Sequence, residues 1–112
     1  MSRLDDLRSV AVSYEGTREE YPFGAETTVF KTPKGKMFIL ATEEAGDVIR
    51  MSLKLTPEES AEARMLPFIT PAPYLARHGW VSVRVTNDFE WETALGFIAR
   101  SHQLTSGAKV RR

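Results

Sequence analysis

Arg50, Lys54 and Arg84 are the side chains whose chemistry and spacing carry the most weight in this sequence. In "VIRMSLK" and "WVSVRV" apolar and polar residues alternate, the period of a strand with one face buried and one wet. Arg50, Ser52 and Lys54 therefore share a face, as do Trp80, Ser82 and Arg84, while Ile49, Met51, Leu53, Val81, Val83 and Val85 turn inward. Phe38 joins the outer face if Ile39 points inward. Cations neutralise phosphates and rings stack on bases, so such a face has the chemistry of a nucleic-acid surface. Arg77 and His78, just ahead of the second strand, are placed to touch a phosphate. Two other readings of the face stay open at this point: a structural or dimer face with Trp80 covered, and a small-ligand site.

Other chemistry lacks its partners. Ser101 and His102 are adjacent, but neighbours on a helix diverge by about 100°, so they do not form a nucleophile and its base. His102, at the end of the last helix, is expected to serve the terminal carbonyls instead. Two histidines 24 positions apart, with no cysteine, give no metal-ligand spacing. The acidic doublets Glu19/Glu20, Glu43/Glu44 and Glu58/Glu59 fall in loops, a turn and a helix start, where solvated surface explains them. "KGK" at 34–36 has one glycine and opens a strand, so it is a hairpin rather than a phosphate-cradling loop. The expectation is a protein that is not an enzyme and takes no cofactor.

A chain of 112 residues, 42% hydrophobic and 27% charged, is the size of a single domain with one core. No window is apolar enough to span a bilayer, and "MSRLDDLRSV" lacks the layout of a secretory signal, so the expected compartment is the cytoplasm and no membrane partner is expected. Net charge is zero, so no global field draws the protein to nucleic acid; any attraction must be local, and affinity for DNA is expected to be low.

The elements that must position these residues follow from pattern. Leu4, Leu7, Val10, Ala11 and Tyr14 recur at helical spacing, with Ser2 placed to cap and Asp5 three positions on. A loop, "EGTREEYPFG", follows, with Tyr21 and Phe23 expected to pin it to the core. "ETTVFK" and "KMFILA" form a hairpin through "TPKG", in which Pro33 suits the second turn position and Gly35 a left-handed one. "EEAGD" turns into the third strand. "TPEESAEARML" opens with Thr56 as cap, Pro57 at the first helical position and Glu59 completing a capping box. "FITPAPY" carries Pro71 and Pro73 and can only be an edge strand or an extended loop; as an edge, its prolines oppose pairing with a second chain. A last helix starts near Asn87 and buries Trp91, Ala94, Leu95 and Ile98. Residues 1–106 thus form one two-layer α+β domain, an antiparallel sheet with helices, and 107–112 a basic tail.

Four pieces, "YPFG", "VFKTPKGKMFIL", "MSLKLTPEE" and "PYLARHGWVSVRV", followed by "IARSHQL", resemble in order and spacing the MmcQ/YjbR-like family of predicted DNA-binding proteins with a double-wing motif. The resemblance spans nearly the whole chain. It implies the order α-β3-α-β2-α and a shape related to secretion chaperones and to the CyaY-like, or frataxin-like, fold. It also makes "HGW" the start of the last strand, where Gly79 turns the chain into the sheet and Trp80 anchors it. The family commonly carries Ser-Tyr where this chain has Ser101-His102. It brings no catalytic motif. The leading expectation is a DNA-binding protein using Arg50, Lys54, Arg77, His78, Trp80 and Arg84; the alternative is a chaperone-like or scaffold domain, dimeric, that holds a polypeptide.

Overall fold

A computed structural model describes residues 2–45, 47–73 and 75–106; the basic tail lies outside the described residues. Helix α1 (Arg3–Val12) begins where the Ser2 hydroxyl accepts the Asp5 backbone N–H at 3.1 Å. Strands β1 (Arg18–Glu20), β2 (Thr27–Lys31), β3 (Met37–Glu43) and β4 (Ile49–Lys54) follow. Then come α2 (Pro57–Ala63), β5 (Ile69–Pro71), a 3-10 turn (Ala76–His78), β6 (Trp80–Val85) and α3 (Asp88–Thr105). The six strands form one antiparallel sheet in the order β1-β2-β3-β4-β6-β5.

This corrects the expected α-β3-α-β2-α order by one strand. β1 lies in the segment read as a loop, because "REE" has no alternating apolar signal. Pairing and charge hold it instead: Arg18, Glu19 and Glu20 pair with Lys31, Phe30 and Val29, Lys31 reaches Glu20 at 2.9 Å, and Arg8 reaches Glu19 at 2.9 Å. The other starts follow their sequence signals. Gly35 takes φ +84° in the β2–β3 turn, and the Thr56/Glu59 capping box is complete on both sides. β5 sits at the sheet edge, ending on Pro71.

All three helices cover one face. Leu7 and Ala11 of α1, Ala63 of α2, and Ala94 and Ile98 of α3 share a buried cluster with Ile39, Met51, Leu53, Val81 and Val83. Trp91 and Leu95 of α3 are only partly buried at its margin. Phe38 is not on the outer face. The β2–β3 register shifts between Phe30 (opposite Ile39) and Lys31 (opposite Met37), leaving Phe38 as an extra, bulged residue. A bulge re-aims its side chain, so Phe38 and Ile39 both turn inward, and the Phe38 ring meets Tyr14 at 5.8 Å and His102 at 4.9 Å.

The same bulge opens a seam that α3 fills. β3 and β4 pair as far as Leu40 and Ser52; two residues on, the Lys54 N–H and the Phe38 C=O would face each other. The fully buried Ser101 hydroxyl stands there, accepting from Lys54 N at 2.9 Å and donating to the Phe38 carbonyl at 2.7 Å. Buried polar groups left without partners cost roughly 1–3 kcal/mol. Ser101→Ala should therefore lower unfolding free energy by about 2 kcal/mol in a urea titration; a loss below ~0.5 kcal/mol would mean that the seam closes without the hydroxyl.

Candidate nucleic-acid interface

The helix-free face carries the candidate cations in cross-strand rows. Thr42, Arg50 and Arg84 form one row, Leu40, Ser52, Ser82 and Thr70 the next, and Lys54 faces Trp80 in a third. Arg50 and Arg84 are thus directly opposite, a repulsive placement for like charges. Glu44, from the turn after β3, relieves it: one carboxylate oxygen accepts Arg50 Nε at 2.9 Å and the other Arg84 Nε at 3.0 Å. These hydrogen bonds, with Arg50's the larger influence, hold the Glu44 carboxyl below the usual carboxylate range, so it stays charged at neutral pH. Both guanidiniums remain about half exposed, and their terminal nitrogens make no hydrogen bond to the described residues. Sequence reasoning missed Glu44. Its reach to both arginines depends on the turn's path, which a solvated acidic doublet does not signal.

Lys54 is half-buried and has no ion-pair partner among the described residues; Arg77 and His78 are exposed on the 3-10 turn beside the β6 entrance, as expected. Trp80 is corrected as a binding residue: at 6% exposure its ring is no stacking platform. The segment after β5 explains this. Pro73 and Leu75 line one groove with Leu40 and Met37 of β3, so the chain crosses the outer face before returning to Gly79. Ser52 and Ser82, in the neighbouring row of the same face, are buried along with Trp80.

Two aromatic expectations reverse. Tyr21 and Phe23 do not pin their loop to the core: Tyr21 is exposed and bonded to Arg8 and Glu19, and Phe23 is 67% exposed at the rim of the outer-face groove. His102 does not serve the helix end as a charge. Its ring stacks on Tyr14 at 4.4 Å, and burial pushes its pKa down and favours the neutral form. The Ser101 hydroxyl is committed to the β3–β4 seam, where it donates to the Phe38 carbonyl. Among the described residues, no three His, Cys, Asp or Glu side chains gather in a way that could hold a metal ion, and no helix is long and apolar enough to cross a membrane.

Comparison with known proteins agrees with this architecture. The YjbR family model matches residues 12–104. The crystal structure of a Deinococcus radiodurans protein with a DUF419 domain is 32% identical, with a TM-score of 0.78 over 97% of this chain and 82% of that one. A Pseudomonas syringae protein solved by crystallography is 24% identical, with a TM-score of 0.71 over 94% of this chain and 99% of that one. Its solution NMR counterpart is 21% identical, with a TM-score of 0.72 over the full length of both chains. At those identities the likeness to the Pseudomonas protein is one of fold alone. No curated protein matches. A family match across the whole sheet, α2 and nearly all of α3, starting at the last residue of α1, together with the Deinococcus likeness, makes this chain a member of the YjbR family.

Proposed function

We propose that this protein binds the sugar-phosphate backbone of nucleic acid weakly, in the cytoplasm and without catalysis, through its helix-free sheet face. The observation that supports it is the Arg50–Glu44–Arg84 arrangement: one carboxylate holds two cross-strand guanidiniums by Nε alone, leaving their terminal N–H groups for phosphate oxygens. Lys54 and Arg77 extend the contact, and Glu44 offsets part of it. About three phosphates are neutralised, so log K should fall with log salt at a slope of roughly −2 to −3, with affinity in the range of ~10⁻⁴ to 10⁻⁶ M.

Titrating labelled duplex and single-stranded DNA at two salt concentrations tests this. The triple variant Arg50→Glu/Lys54→Glu/Arg84→Glu should lose binding and keep its fold, and Glu44→Gln should bind more tightly than wild type. Absence of wild-type binding at ~50 mM salt, or equal binding by the triple variant, overturns the proposal. The polypeptide-holding reading then takes its place. It draws on the groove between α2 and α3, where Leu55, Leu66 and Phe97 line an apolar wall beside Met65, itself 83% exposed.

A further inference from the structure

We propose that the outer-face groove formed by Phe23, Thr27, Met37, Leu40, Pro73 and Leu75 takes an unstacked base of a single-stranded nucleic acid. The proposal rests on the backbone-binding reading above and narrows its ligand from any nucleic acid to single strands. The groove encloses about 440 Å³, within the range of small-ligand sites, and five of its six lining residues are apolar. Phe23 lines it while 67% exposed, and its ring stacks on no other aromatic among the described residues. An exposed ring at the mouth of an apolar groove is a surface on which a base can stack, whichever base it is.

Charge decides which occupant fits. Lys34 and Lys36 stand in the turn just before Met37, and Arg77 lies two residues after Leu75. All three are exposed and have no ion-pair partner among the described residues, unlike Arg50 and Arg84. Of the nearby acids, Glu26 lines a separate cavity against Arg8 and Leu4, and Glu20, in the Leu40 row through Val29, is neutralised by Lys31 at 2.9 Å. An apolar floor with a cationic rim fits an anion that also carries a flat ring. Duplex DNA offers its phosphates but hides its base faces, whereas a single strand offers both. The site is continuous with the arginine pair, because Leu40 is one two-residue step, about 7 Å, from Thr42 in the Arg50 row.

The test compares two labelled oligomers of about a dozen nucleotides with equal phosphate counts, oligothymidylate and an all-abasic strand, by fluorescence anisotropy on the full chain at low salt. Wild type should bind oligothymidylate roughly 5- to 100-fold more tightly. Phe23→Ala should abolish that ratio, Phe23→Trp should keep it, and Arg50→Glu should weaken both ligands together. Phe23→Leu, which keeps the bulk and loses the ring, replaces the alanine variant if that one fails to fold. Equal, salt-dependent binding of both oligomers overturns the base site and leaves the backbone reading standing, as does a ratio that survives loss of the Phe23 ring. Failure of both oligomers to bind removes both proposals. Phe23-dependent binding of an alternating Glu-Leu peptide, without a difference between the oligomers, assigns the groove to polypeptide and overturns the base site.

Discussion

Trp80→Ala should lower the free energy of unfolding by about 3–5 kcal/mol. The indole opens β6 on the outer side of the sheet yet is 6% exposed, and Pro73 and Leu75 line a groove on that same face. The backbone around it is tied on both sides: the Trp80 carbonyl accepts Ala72 N at 3.2 Å, and Lys54 pairs opposite it on β4. Truncation would remove one of the largest buried side chains, and the crossing segment cannot collapse into the space without breaking the Ala72 bond. Urea melts of the two proteins measure the difference. A loss under ~1 kcal/mol would return Trp80 to the surface and to the list of stacking residues.

Gly79→Ala should cost a comparable amount, roughly 2–5 kcal/mol, by an unrelated mechanism. Gly79 closes the 3-10 turn at φ +91°, where an L side chain is strained, and a Cβ there would lie 2.0 Å from the Leu55 carbonyl oxygen. That oxygen is backbone and cannot swing aside, since the Leu55 N–H donates to the Gly79 carbonyl at 3.2 Å and locks the two segments together. Relief requires parting β6 from the end of β4. Comparing Gly79→Ala with an alanine change at the solvent-facing Gly96, where a Cβ meets no atom within 4 Å, separates this clash from general helix and turn effects. Equal stability of the two variants would show that the approach is loose.

Local chemistry made much of this fold readable. The Ser2 and Thr56 caps, the Pro33–Gly35 turn and the alternation in "VIRMSLK" and "WVSVRV" each act over a few residues, and each marks the element found. Family pattern located Gly79 and Trp80 as turn and anchor. What was not readable depends on distant pairing. β1 exists because Glu20 meets Lys31 and Glu19 meets Arg8, and neither contact leaves a trace in the "REE" composition. Phe38 misled because a single bulged residue reverses the face that alternation assigns. At the candidate site, Arg50, Lys54 and Arg84 were placed by period alone. Glu44, which moderates the two arginines, and the exposure of Phe23 at the groove rim depend on how loops run over the sheet.

The Ser101 bridge also bears on how the chain is made. It joins Ser101 to Phe38 and Lys54, partners 63 and 47 positions earlier, so β3 and β4 are synthesised long before the residue that seals the seam between them. Until the end of α3 has left the ribosome, that seam presents unpaired strand backbone beside unburied Phe38, Ile39 and Met51, the kind of surface on which growing chains associate. A nascent chain ending before position 101 can form every strand of the sheet and still lack its closure. Completion of the domain is thus deferred to its last helix, and the interval before it is when the protein is most exposed to misassembly.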